Sequence, residues 1–390
     1  MMKKLWILVC CLLLVGCSSG EEKKPVDKPK NPTTNSNVVS FVGVGDNLIH
    51  DSIYKEADKL DGVPNDGNYD FTPMYQNMKK DIKGADLAFI NQETILGGDD
   101  LGLSGYPTFN TPSAVADNVV SAGFDLINTA TNHCLDKFQT GINNSSATWK
   151  SKKGVIAAGT YTSQEDRDTV RVIERKGIKF AFLAYTYGTN GVTPEYDYSV
   201  AYFNDEQIRK DVAAAKKVSD VIIVSAHWGT ENIHEVNDEQ KHYAQLFADL
   251  GVDVVIGTHP HVIQPIEWVK SSDGKDETLV VYSLGNFLSG MLDVDNVVGG
   301  MIGFDFVKDS KTKQIHIKNV KWTPTVTHFD GDGNPDNIME SRHNYKVYKA
   351  SEYTDKLASQ HALNGYDGQT FSMDVINQIT NASIDAKYLK

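Results

Sequence analysis

Residues 221–227 read Val-Ile-Ile-Val-Ser-Ala-His, and residues 254–261 read Val-Val-Ile-Gly-Thr-His-Pro-His. Each begins as a short β-branched run, the pattern of a strand buried on both faces. Residues 238–250 between them are amphipathic and predict a helix. Strand, helix, strand in succession argues for an α/β sheet with parallel strands. In such a sheet the carboxyl ends of the strands face one crevice. Both runs set histidines at that end: His227, then His259 and His261 around Pro260. Proline fixes its own φ and favours an extended residue before it, so the last two imidazoles read as pre-set.

The same alternation extends outward. Further strands are predicted at 39–44, 87–91, 126–129, 155–158 and 279–284, and helices at 73–83, 112–122, 141–152 and 205–218. Residues 170–175 and 179–184 flank Lys176-Gly177-Ile178 as a β-hairpin. Residues 303–307 and 314–322 form a second, so antiparallel strands are mixed into the α/β pattern. Asp330-Gly331-Asp332-Gly333-Asn334 resembles the start of a calcium loop, but Ser341 stands where a bidentate Glu is needed, so it reads as a turn. The domain is expected over 38–330, with 331–390 as an extension packed on it whose last 40 residues hold one or two helices.

Other potential ligands fall at equivalent places. Asp46 follows the first strand, Glu93 the second, and Asn132 and His133 the third. Taken singly, each has an ordinary reading: an Asx cap at Asp46, a solvated charge at Glu93, a helix cap at Asn132-His133, a core histidine at His227. Taken together, Asp46, Glu93, Asn132, His227, His259 and His261 form an oxygen/nitrogen donor set. That set suits one or two divalent ions such as Mn, Zn or Fe rather than a thiolate site. Asp136 is placed to orient His133 by a hydrogen bond. His50 is read as a ligand, an outer group or a substrate contact. Asn286 in Tyr282-Ser283-Leu284-Gly285-Asn286-Phe287 is read as an outer donor. His234, His242, His316, His328, His343 and His361 are left as surface or structural residues.

The chain has 390 residues, 38 basic and 51 acidic, for a net charge of −13. That charge argues against nucleic acid as a partner. Lys3 and Lys4 precede an apolar run too short to span a membrane, which reads as a signal peptide over 1–16. Leu14-Val15-Gly16-Cys17 resembles a lipobox, predicting lipid on Cys17 and an extracytoplasmic protein anchored to the cell membrane. Residues 17–37, rich in Lys, Pro, Asn, Thr and Ser, read as a flexible stalk. Of the four Cys, only Cys134 is left beyond Cys17, so no internal disulfide is expected.

Gly45-Asp46-Asn47-Leu48, Asn91-Gln92-Glu93, Thr131-Asn132-His133, Ala226-His227-Trp228-Gly229, Gly257-Thr258-His259-Pro260-His261 and Tyr282–Phe287 together resemble the signature blocks of the CapA family of poly-γ-glutamate capsule synthesis proteins. That family is similar in turn to calcineurin-like metallophosphoesterases. The resemblance implies a four-layer α/β/β/α sandwich of two mixed sheets and a metal-dependent, phosphoesterase-like hydrolase site, with His133 as general acid or transition-state stabiliser. Differences from the wider superfamily stand out. The first histidine after Asp46 is at position 50, Glu93 replaces a bridging Asp, and one residue is inserted before His259. The resemblance further implies a role in making, exporting or anchoring poly-γ-glutamate, with an anionic polymer or phosphoester as substrate and membrane capsule-synthesis proteins as partners. The competing readings are a hydrolase of another surface substrate (a nucleotide, a phosphodiester or a cell-wall peptide) and a non-catalytic module that binds an anionic polymer.

Overall fold

Period-two burial in the strands builds the architecture. In Leu87–Gln92, Leu87 and Phe89 face one core and Ala88 and Ile90 face another. In Val221–His227, Val221 and Ile223 face the first of these cores, while Ile222, Val224 and Ala226 face a third. A strand that is apolar on both faces must lie in a sheet covered on both sides. The computed structural model describes residues 37–389. The signal segment 1–16, Cys17 and the stalk up to residue 36 lie outside the described residues.

The strands are β1 Val38–Asn47, β2 Leu87–Gln92, β3 Leu126–Asn128, β4 Ile156–Ala158, β5 Arg171–Arg175, β6 Ile178–Thr186, β7 Val221–His227, β8 Val254–Thr258, β9 Ile263–Lys270, β10 Glu277–Leu284, β11 Asn286–Leu288, β12 Val298–Lys308, β13 Ile315–Asp330 and β14 His343–Lys349. One sheet runs β14-β13-β12-β1-β2-β3-β4, with β11 also pairing β1; the other runs β5-β6-β7-β8-β10-β9. Within them β1–β2–β3–β4 and β6–β7–β8–β10 are parallel, so each run presents its carboxyl ends along one edge.

The two sheets pack face to face. Phe41, Phe89 and Leu126 of the first meet Phe180, Phe182, Ile223, Ile256 and Val281 of the second in one buried cluster. Helices Asp51–Leu60 and Val115–Ala122 cover the outer face of the first sheet through Ile53, Ala57, Val115 and Val119. Helices Asp205–Ala215 and Asp238–Asp249 cover the second through Ile208, Val212, Ala244 and Phe247. The result is the expected α/β/β/α sandwich of two mixed sheets. Asn237 and Gln240 form a reciprocal capping box that starts the helix Asp238–Asp249 and so sets where the loop after β7 ends.

Several elements depart from the sequence reading, the unpredicted strands β11 and β14 among them. The helix expected over 73–83 is broken into Thr72–Tyr75 and Lys79–Gly84. Strand β9 escapes notice because Pro265 lies inside it; as an edge strand it tolerates the missing donor. The helix Asp51–Leu60 buries only Ile53 and Ala57 fully, too few apolar positions for a clear period. Asp332 accepts from Asn334 N at 2.9 Å and Asn337 Nδ2 at 2.6 Å, the geometry of a turn. Past it, the C-terminal segment adds the edge strand β14 and the helix Met373–Ser383. Among the described residues no helix is long and apolar enough to cross a membrane.

His361, buried in that segment, uses both ring nitrogens as a neutral imidazole: Nε2 donates to the Thr327 carbonyl at 3.1 Å and Nδ1 accepts from Leu363 N at 3.2 Å. Burial, aided by His328, pushes its pKa down to about 3. The unfolded chain takes up this proton near pH 6.5 and the folded chain resists it, so the stabilisation is complete above 6.5 and is lost as pH falls toward 3. The loss approaches about 1.4 kcal/mol per pH unit in that window. Urea midpoints of wild type and His361→Gln should therefore converge between pH 7 and pH 5. A constant gap would show that His361 titrates alike in the folded and unfolded chain.

Candidate metal centre

Strand ends from both sheets supply the centre. Asp46 lies near the end of β1, and Glu93 and the Thr131-Asn132-His133 turn follow β2 and β3. His227 ends β7, and His259 and His261 follow β8. Residues i and i+2 of a strand share a face, which is how Asn91 and Glu93 come to lie together. The Asn91 amide donates to Asp46 Oδ1 at 2.7 Å and approaches Glu93 Oε2 at 3.4 Å. Asn128 of β3 in turn donates to Asn91 Oδ1 at 2.7 Å, so an asparagine ladder across three strands sets both carboxylates.

The second sheet closes on these carboxylates. His261 Nδ1 lies 3.0 Å from Asp46 Oδ2, and His261 Nε2 lies 3.6 Å from Glu93 Oε1. His227 Nε2 lies 3.0 Å from Asn132 Oδ1 and 3.9 Å from Glu93 Oε1, with Thr258 Oγ1 3.0 Å from its Nδ1. The rings of His227 and His259 are 4.8 Å apart. Three overlapping trios place donor atoms within 4.8 Å of one another: Glu93, His227 and His259; Asp46, Glu93 and His261; and Glu231, His259 and His261. Glu93 belongs to two of them, as do His259 and His261.

The residues fit a cation. Glu93 Oε1 and His259 Nδ1 are buried without any hydrogen-bond partner. A buried acceptor left unmade costs about 1–3 kcal/mol, and a shared cation satisfies a carboxylate oxygen and a neutral imidazole at once. Electrostatics agree. Burial, then the neighbouring imidazoles, push His227 and His259 well below the ordinary histidine range, which keeps them neutral. Burial raises Glu93 far above the carboxylate range, with His261 opposing and Asp46 adding to the rise. For His261 burial works against the charge, yet Glu93 and Asp46 outweigh it and raise the pKa to about 9.

The backbone is strained here. His259 has φ of 96° and His261 has φ of 59°, in the left-handed region that only glycine enters freely. The expectation that proline holds His259 in an ordinary extended conformation is therefore wrong. The turn is strained, and such strain gathers at functional sites.

Around the centre, Asp136 Oδ2 accepts from His133 Nδ1 at 2.8 Å and from Phe109 N at 2.6 Å. The Phe109 ring stands edge-on to His133 at 4.7 Å. Asn286 Oδ1 lies 3.1 Å from His261 Nδ1. His50 stands apart from all three trios, its Nδ1 taken by Gly290 N at 3.1 Å. Cys134 is buried and its thiol is pushed up to about 12 by that burial, so it supplies no thiolate. Sequence reasoning gave Asn91 no role and missed Asn128, Tyr187, Glu231 and Asn190, whose Oδ1 accepts from Asn132 Nδ2 at 3.3 Å. Tyr187, whose ring lies 4.5 Å from that of His259, directly follows β6 and obeys the same strand-end rule. Glu231 and Asn190 lie in loops that carry no such signal.

A family model described as "Bacterial capsule synthesis protein PGA_cap" matches residues 40–291. The chain is 27% identical over 197 residues to the PGA biosynthesis protein CapA of Bacillus subtilis (strain 168), a match covering 50% of this chain and 47% of that protein. It is 25% identical over 207 residues to the capsule biosynthesis protein CapA of Bacillus anthracis, covering 52% and 46%. The match thus spans about half the length of these curated relatives. Among solved structures, a phosphatase from Mycoplasma pneumoniae aligns with 16% identity and a TM-score of 0.44, covering 74% of this chain and 94% of that one. The calcineurin-like phosphoesterase YfkN of Bacillus subtilis aligns with 12% identity and a TM-score of 0.42, covering 88% and 99%.

Proposed function

The chain belongs to the bacterial capsule synthesis protein family PGA_cap, and on that footing we propose that it acts in poly-γ-glutamate capsule synthesis, export or anchoring through a metal-dependent, phosphoesterase-like hydrolase site. One observation carries the metal-dependent part: Glu93 Oε1 and His259 Nδ1 stand buried and unpartnered in a cluster of three carboxylates and three imidazoles. Asp46, Glu93, Asn132, His227, His259 and His261 would hold the metal, with Glu231 beside them. When bound, a divalent cation would offset the carboxylates and the charge of an anionic substrate, polarise a phosphoryl oxygen and lower the pKa of water.

The chain's own residues supply positioning and a proton. His133 donates Nδ1–H to Asp136, which fixes the ring and leaves Nε2 free to hold a proton and deliver it to a leaving oxygen. Phe109 N–H on the same Asp136 oxygen keeps that carboxylate aimed at the ring. Tyr187 at the rim, its pKa pushed up to about 12 chiefly by burial, stays protonated as a donor. A passive polymer-binding module has no need of an oriented acid–base pair, so His133 and Asp136 favour catalysis over mere binding. The lipid anchor at Cys17, which would place this site outside the cytoplasmic membrane, belongs to the same proposal and rests on the sequence of residues 3–20.

The test is metal analysis of the purified chain together with turnover of aryl phosphate mono- and diesters. His133→Ala should keep its metal and lose turnover by about a hundredfold or more. Unchanged turnover would remove His133 from the chemistry.

A further inference from the structure

Arg342 precedes β14, beyond the residues matched by the family model. It is only 7% exposed. One Nη bonds the Gly290 carbonyl, while Nε is buried with no partner. Among the described residues no carboxylate lies within ion-pair distance of it. Asp51, the acid lining the same space, is held by Lys55 at 2.6 Å. The Arg342 charge reaches the Asp51 carboxylate without a direct bond, and a buried guanidinium with no bonded carboxylate is rare and leaves part of its electrostatic demand unmet.

Arg342 also lines a cavity of about 350 Å³, together with His50, Asp51, Tyr106, Gly290 and Met291. The cavity adjoins the metal centre on two flanks. Met291 Sδ lies 3.5 Å from Asn286 Nδ2, and Asn286 touches His261. The His50 ring meets Phe109 edge-on at 5.3 Å, and Phe109 meets His133. His50 is kept neutral mainly by burial, with the charges of Arg342 and His261 adding to it, so Arg342 is the cation here.

We propose that Arg342, with His50 beside it, forms an oxyanion-binding subsite next to the metal centre, supplied by the C-terminal segment. The planar fork of a guanidinium pairs two-to-two with a carboxylate or a phosphate, so the ligand is a substrate group of either kind. The subsite extends the function proposed above by giving an anionic substrate a second hold. Because it needs no metal, it can be tested without one, and the two readings then fail separately.

The experiment is calorimetric titration of the full chain, stripped of metal by a chelator that is then dialysed away, with tri-γ-glutamate in one arm and inorganic phosphate in the other. Wild type should bind at least one of these anions, and Arg342→Gln should weaken that binding tenfold or more. The Arg342-dependent arm identifies the source as carboxylate or phosphate. Should Arg342→Gln not fold, Arg342→Lys decides, since it keeps the charge and loses the fork: a severalfold loss of affinity upholds the subsite. No binding to wild type, or equal affinity in the folded variant, overturns it.

Discussion

A Glu93→Gln chain is expected to retain no metal and, when both proteins are stripped of metal, to be more stable than wild type. The two effects have opposite signs and one origin. Glu93 is fully buried, and its Oε1 has no hydrogen-bond partner. Its pKa is raised above the ordinary carboxylate value, first by burial, so the group supports folding only below about pH 4.5 and opposes it as pH rises through the elevated value. Glutamine keeps the shape and the Asn91 contact but has no charge to desolvate. Metal-free Glu93→Gln should therefore gain on the order of 1–3 kcal/mol at pH 8 over wild type, and the gap should close toward pH 4.5. With metal at about a hundred times its dissociation constant, wild type gains about 2.7 kcal/mol by mass action. The variant, lacking the carboxylate shared by two donor trios, gains none. Metal content by mass spectrometry and denaturant melts with and without chelator read both signs. A variant that keeps its metal would end the assignment of Glu93.

Legibility in the sequence followed the length scale of each interaction. Strands such as Leu87–Gln92 and Val221–His227 announce themselves because their burial on both faces is written in consecutive residues. The strand-end rule then located Asp46, Glu93, Asn132, His227, His259 and His261, which meet in one cleft because the parallel strands end along one edge of each sheet. What the sequence hid was set by tertiary contact. The ladder Asn128–Asn91–Asp46 is a cross-strand feature, invisible until register is known. Glu231 reaches His259 and His261 only because its loop folds back over β8, with Asn232 N bonded to the Pro260 carbonyl. Arg342 lies far along the chain from the residues it adjoins, and no local period marks it.

The second large effect concerns two glycines whose φ is ordinary and whose role is space. Gly45 sits one residue before Asp46 in β1, and a Cβ there would lie 1.8 Å from the Gly285 carbonyl oxygen. That oxygen accepts Asp46 N at 3.0 Å. Gly257 in β8 precedes the turn that carries His259, and a Cβ there would lie 1.9 Å from the Tyr282 carbonyl oxygen and 2.7 Å from Trp228 Nε1. Tyr282 O in turn accepts Trp228 Nε1 at 2.9 Å, so the clash strikes a bonded pair. Backbone atoms cannot rotate away as a side chain can, so strands must separate where they carry the candidate metal ligands. Overpacking costs about 1–3 kcal/mol, with the upper end expected where backbone is struck, and Gly45→Ala should also weaken metal binding because Asp46 moves with its strand. Gly303→Ala is the control: it lies in β12 of the same sheet, and the nearest atoms to its Cβ are at 3.8 and 3.9 Å. Relief of glycine's entropy should make that change neutral or stabilising by up to about 1 kcal/mol. Equal denaturation midpoints for Gly45→Ala and Gly303→Ala would mean that β1 does not pack closely on the β10–β11 turn, and that Asp46 is not held where the centre needs it.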